Sequence, residues 1–180
     1  MDVIPELDDK HVEWIAQQHV FFVATAPSGD GGHVNLSPKG HDAFRVLDPL
    51  RVAYLDLTGS GSETIAHLRD NGRITFMFCA FAGPPRILRL FGHGTPHVKG
   101  SARFDELAPR FPDLVGARSI IEATLIRVQT SCGYAVPRLD YVEERPTLLQ
   151  WAARKGDDGL AEYWAEKNTR SIDGLAALDG

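Results

Sequence analysis

Two short stretches carry the residue types that bind an anion. In Thr58-Gly59-Ser60-Gly61-Ser62-Glu63-Thr64, four hydroxyls fall within one turn and its approach, and two glycines clear side chains from the backbone. The alternating apolar run RVAYLDLT (51–58) leads into this turn, and a short helical pattern follows it. A strand, a small-residue turn and a helix start together present free N–H groups that favour negative charge. In NLSPKG, Lys39 follows Asn35 and Ser37 at a strand exit, where Pro38 ends ladder donation. Lys39 is therefore the candidate cation for that anion. Arg86 and Arg89 in RILRLFGHG are further cations, on opposite faces of one strand. A plainer alternative stands beside this reading. Ser60 and Glu63 fit a capping box, Ser60 as N-cap and Glu63 as third helical residue, and then the turn only starts a helix. The spacing is neither a Walker loop nor a dinucleotide fingerprint.

The elements around these residues are legible from pattern. Asp8 or Asp9 caps a helix over about 10–18, with Val12, Ile15 and Ala16 on one face. HVFFVATA (19–26) and HVNLSPKG (33–40) read as a hairpin across the Gly- and Asp-dense turn PSGDGGH. DAFRVLDPL reads as a loop or short excursion before the strand 51–58. The helix after the turn runs over about 62–70 and stops at Asn71-Gly72. RITFMFCAF (73–81) is apolar enough to read as a strand buried on both faces. RILRLFGHGTPHV (86–98) reads as a strand bent at Gly92 and Gly94. ARFDELAPRF reads as a short helix limited by Pro109, and 119–134 as a late strand. The tail 147–168 reads as helical, with a break at 156–159 and with Trp151 and Trp164 among its anchors. Many strands joined by short connections imply an antiparallel barrel or sandwich with appended helices, in one domain spanning 1–180.

Composition narrows the classes of function. A net charge of −5 and the absence of any basic run argue against a dedicated nucleic-acid binder. The N-terminal residues have neither the basic nor the apolar region of a signal peptide, and no apolar run reaches membrane-spanning length. A soluble cytoplasmic protein is the expectation. Cys79 and Cys132 lack metal or redox spacing and are expected to be core thiols. His93 and His97 have metal-like separation, but Gly94 and Pro96 between them preclude one helical face, so no metal is expected.

With these segments in hand, the chain resembles the pyridoxamine 5'-phosphate oxidase-like family of FMN-binding split β-barrels. The resemblance covers about residues 18–132 and is carried by FVATAPSGDGGHVNLSPKG, RVAYLDLTGSGSETIAHLRDNGRITFMF and PPRILRLFGHG. It implies a six-stranded antiparallel split barrel over about 18–135 and a homodimer with FMN at the subunit interface, and the C-terminal segment, read from its own residues as a helical extension over about 145–180, falls outside it. It places Asn35, Ser37 and Lys39 against the ring or phosphate. Thr58, Gly59, Ser60, Gly61, Ser62 and Thr64 would meet the phosphate, while the strand carrying Arg86 and Arg89 comes from the partner. By position alone, His41 after SPKG and His67 on the helix after the turn could each border a flavin, with no partner visible in the sequence for either. The vitamin B6 oxidases follow the matching Ser with Arg and Lys, whereas Ser62 is followed by Glu63 and Thr64. The resemblance therefore implies an FMN-dependent oxidoreductase of an uncharacterised subgroup, acting on a small molecule with NAD(P)H as electron donor. A non-catalytic flavin-binding or storage protein, and a same-fold binder of haem or deazaflavin, are the alternatives.

Overall fold

The computed structural model describes residues 2–178. Its elements are β1 (Asp2–Ile4), α1 (Asp9–Ala16), β2 (Phe21–Thr25), β3 (Asn35–Lys39), β4 (Phe44–Asp48) and β5 (Arg51–Leu57). They continue with α2 (Glu63–Asn71), β6 (Arg73–Cys79), β7 (Ile87–Val98), α3 (Ala102–Leu107), β8 (Ala117–Ser131) and α4 (Thr147–Lys167). All strand pairs are antiparallel, in the order β3-β2-β6-β7-β8-β5-β4, with β1 added on β8. The path has two ends, β3 and β4, so the sheet curls without closing, as a split barrel does.

The six expected strands are β2, β3, β5, β6, β7 and β8. The excursion DAFRVLDPL is corrected to a strand: Phe44–Asp48 pairs with β5 through a bulge between Val46 and Asp48. Its charged residues mask the alternation because they serve local contacts. Arg45 grips both carboxylate oxygens of Asp42 at 2.8 and 2.9 Å, and Asp48 accepts from Leu50 N–H. β6 is also corrected. Ile74, Phe76 and Phe78 are buried, while Thr75 and Met77 are only half-buried on the outer face of the sheet. The bend in β7 lies where expected. The β7–β8 register shifts between Phe91 and Gly92, and a side chain at Gly92 would collide with the Thr124 carbonyl.

Two clusters form the core. The barrel interior holds an edge-to-face aromatic group of Phe21, Phe44, Tyr54, Phe76 and Phe78 with Ile65, Leu88 and Leu90. The second cluster, Leu55, Phe104, Leu107, Phe111 and Ile120, lies between β5, β8 and α3, so β5 is buried on both faces. α3 ends at Leu107 and tightens into a 3-10 turn, Ala108–Arg110, around Pro109. α4 breaks at Gly156, with φ 66° and ψ 176°, a conformation open almost only to glycine. Beyond α4, residues 168–178 fold back on themselves through Leu178 N–H to Asn168 C=O and Ala177 N–H to Thr169 C=O. Ala177 and Leu178 enter the main core, which pins this tail across the start of α2. Cys79 is buried, but Cys132 is exposed, contrary to the expectation of a core thiol, because β8 ends at Ser131.

Candidate functional site

Asn35, Ser37 and Lys39 alternate onto the inner side of edge strand β3, as a two-residue period requires. Lys39 Nζ reaches Asp56 Oδ1 at 3.3 Å, and Arg118 Nε reaches Asp56 Oδ2 at 2.7 Å. Ser119 Oγ donates to the same carboxylate at 3.2 Å. Burial alone would raise the Asp56 carboxyl, but Arg118 and then Lys39 outweigh it and hold it below its ordinary value. Arg118 is raised in turn, the Asp56 charge overcoming the burial that opposes it. Two cations thus share one carboxylate, and the trio carries a net charge of +1. Asp56 is 1% exposed and Lys39 23%, so the surplus charge is presented by Lys39. Under it lies Tyr54, 5.8 Å from Nζ to ring centroid, whose phenol is pushed well up by burial and then by the Asp56 charge.

A second polar network runs along the same strand. Asn35 Nδ2 donates to Thr64 Oγ1 at 3.0 Å and to Thr25 Oγ1 at 3.3 Å, while Ser37 Oγ donates to Asn35 Oδ1 at 3.0 Å. Thr25 Oγ1 is 3.0 Å from His67 Nδ1. His67 is fully buried on α2, and burial lowers its pKa against the opposing charges of Asp173, Glu63 and Asp70. Its Nε2 has no hydrogen-bond partner among the described residues.

The small-residue turn sits beneath the C-terminal tail. The Thr58 hydroxyl donates to Gly116 C=O at 2.7 Å and accepts from Trp164 Nε1 at 2.8 Å. Ser62 Oγ donates to Arg170 C=O at 3.2 Å, and Gly59 C=O accepts from Asn168 Nδ2 at 3.1 Å. The capping box is corrected accordingly. The N-cap of α2 is Ser62, not Ser60; its side chain makes no capping bond, and Glu63 is the first helical residue rather than the third. The Ser62 hydroxyl is turned toward the tail, where it donates to Arg170 C=O. The helix stops as expected, at Gly72 in the left-handed conformation. Ser60 is exposed, and the Glu63 side chain folds back over Gly61, where an added Cβ would run into its carboxylate.

Beside Lys39, Thr58 and Gly59 opens a cavity of about 930 Å³, whose lining does not include Asn35, Ser37, Ser60, Gly61, Ser62 or Thr64. Lys39, Thr58 and Gly59 line it together with apolar Leu55, Leu57 and Phe81. Residues 139–148 form one wall. Tyr141 stacks on His19 at 3.6 Å between ring centroids, and Glu144 accepts from His41 N–H at 3.2 Å. His41 and Asp42 both have positive φ, 62° and 53°, a strained pair that the Arg45 grip on Asp42 holds in place. Arg86 and Arg89 do not join Lys39. Arg86 lies over the Trp14 ring at 5.3 Å, and Arg89 donates to Ser131 Oγ at 3.1 Å.

Sequence reasoning passed over Asp56, Arg118 and the 139–148 wall. A single acid inside the apolar run YLDL was the available signal, since a buried carboxylate demands a cation. Among the described residues no group of three or more His, Cys, Asp or Glu side chains is arranged to hold a metal ion, and His97 instead meets Glu122 at 3.2 Å. Among the described residues no helix is long and apolar enough to cross a membrane.

Comparison with known proteins agrees with this architecture. The family described as Pyridoxamine 5'-phosphate oxidase matches residues 7–132. The chain is 43% identical to the pyridoxamine 5'-phosphate oxidase family protein ustO of Aspergillus flavus, over 96% of this chain and 76% of that one. Among solved structures, HupZ of Group A Streptococcus shares 19% identity at a TM-score of 0.54, over 70% of this chain and 94% of that one. A Lactobacillus delbrueckii protein described as a putative pyridoxamine 5'-phosphate oxidase shares 15% identity at 0.54, over 72% and 99%.

Proposed function

The chain belongs to the pyridoxamine 5'-phosphate oxidase family, and from that premise we propose that it is a flavoprotein that binds FMN and acts as an oxidoreductase on a small molecule. The observation that supports this is the cavity of about 930 Å³ with the surplus charge of the Lys39–Asp56–Arg118 trio on its wall. Its volume is that of a small-molecule site, and Leu55, Leu57 and Phe81 offer flat apolar contact suited to an isoalloxazine. Lys39 is the cation for the phosphate, and Gly59 offers backbone without a side chain beside it. A bound flavin supplies hydride and electron transfer; the protein positions it and tunes it. Lys39 lowers the cost of burying the anion, and the 139–148 wall shields the cavity from water.

The outer sheet face supports a homodimer. Val34, Leu36 and Ile126 are exposed there beside half-buried Phe22, Met77 and Phe91. Arg89 alternates onto the same face as Phe91, so a second copy docked there receives it. Absorption spectra of the purified protein with and without added FMN test the reading. Two visible flavin bands that bleach with NAD(P)H and return with substrate support it. A Soret band assigns haem instead, and a colourless protein that takes up no FMN overturns it.

A further inference from the structure

The turn Thr58–Thr64 has the outline of an anion cradle, yet the hydroxyls of Thr58 and Ser62 are already engaged. The Thr58 and Ser62 hydroxyl protons go to the main-chain carbonyls of Gly116 and Arg170. Thr64 accepts from Asn35, and the Gly59 carbonyl accepts from Asn168. Redirecting the Ser62 proton to a ligand costs the Arg170 carbonyl this partner, whereas the Gly116 carbonyl would keep the Thr58 N–H at 2.8 Å. A negative group is also present already. The Glu63 carboxylate folds over Gly61 at the start of α2, and its Oε1 accepts from the Ile172 N–H of the tail at 3.3 Å. A helix start favours one negative group, and a phosphate brought beside this carboxylate meets like charge.

We infer that Glu63 serves as the built-in anion of this turn, clasping residues 168–178 over it, so that the turn is closed to ligand phosphate and Lys39, on the cavity wall at the strand end, receives it. Glu63 is thus a specificity-determining residue that moves the anion site from the helix start to the strand end. The assignment of phosphate to Lys39 rests on the flavin reading; the closure of the turn does not.

The experiment separates the two. In the full chain, hydrogen exchange at the Ile172 amide is compared among wild type, Glu63→Ala and Glu63→Gln. Exchange about tenfold faster in the alanine variant, with near-wild-type exchange in glutamine, which keeps the acceptor, supports the clasp. Equal exchange in all three overturns it. Amide spectra are then titrated with inorganic phosphate. Unmoved Gly61 and Ser62 signals support closure, and a saturable shift there overturns it. Finally, FMN and riboflavin are titrated against wild type, Lys39→Met and Ser62→Ala. Loss of the preference for FMN in Lys39→Met alone supports the relocation. Loss in Ser62→Ala with riboflavin spared overturns it. Absence of binding by either flavin removes the flavin reading and with it the Lys39 assignment, while the clasp is still decided by the first two measurements.

Discussion

At the residue scale, Asp56 is the pivot. Its carboxylate is buried, and its charge is tolerable only because Arg118 and Lys39 both reach it. Removing one member of a buried pair costs more than the pair contributes, because the other charge is left alone. Arg118→Met leaves Asp56 with the longer Lys39 contact and the Ser119 hydroxyl, so it should destabilise the fold by up to about 3–5 kcal/mol, measured by denaturant unfolding. Lys39→Met leaves the closer Arg118 contact in place, so it costs less stability than Arg118→Met in the same assay. The pH dependence has a definite sign. The folded-state pKa of Asp56 is depressed, so its contribution is fully present above the unfolded value of about 3.9 and is lost as pH falls below it. The stability difference between wild type and Asp56→Asn should therefore shrink on acidification from about pH 5 to pH 3. A difference that stays constant through that range assigns the effect to packing instead of charge.

At the element scale, each part depends on how far its determinants lie along the chain. Strands β2, β3 and β5 to β8 were legible because alternation and Gly or Pro punctuation are local. β4 was not, since Arg45 and Asp48 interrupt its apolar pattern with side chains spent on neighbouring backbone. Lys39, Thr58 and Gly59 were legible as cavity residues from strand ends and small-residue spacing. The cap of α2 was not, because the partner of Ser62 is Arg170, 108 residues away. The same distance hid the tail, which has no periodicity of its own, yet Trp164 and Asn168 at the end of α4 hold the turn. α4 meets the turn at its C-terminal end, so the break at Gly156 sets its direction. Gly156→Ala has open space for a Cβ but the wrong backbone conformation. It should cost about 1–3 kcal/mol in thermal or denaturant unfolding, and the Trp164 contact should loosen with it, read as a shift in tryptophan fluorescence.

At the scale of the whole molecule, the open face of the sheet is what a single chain leaves unfinished. β6 carries a nearly continuous apolar run, yet Thr75 and Met77 on its outer side are only half-buried, and β3 exposes Leu36 at the edge. Leu36 registers against Ala24 of β2, and Ala24 against Thr75 of β6, so these positions form one row that continues to Phe91 on β7. Val34 and Ile126, 74% and 68% exposed, flank a shallow hollow of about 380 Å³ on that row. Under the proposed homodimer, this apolar row is the surface that would be buried. The proposed second copy would cover the row and deliver Arg89. Leu36→Glu places a charge at its edge without touching the core, so the isolated fold should keep its unfolding midpoint. Loss of an interface anchor of about 2 kcal/mol weakens self-association about thirtyfold, enough to shift a micromolar sample toward monomer in sedimentation velocity. If FMN affinity falls in step with dimer fraction as this variant is diluted, the cofactor site draws on both copies. If FMN binds the monomer with unchanged affinity, the cavity walled by 139–148 is complete within one chain.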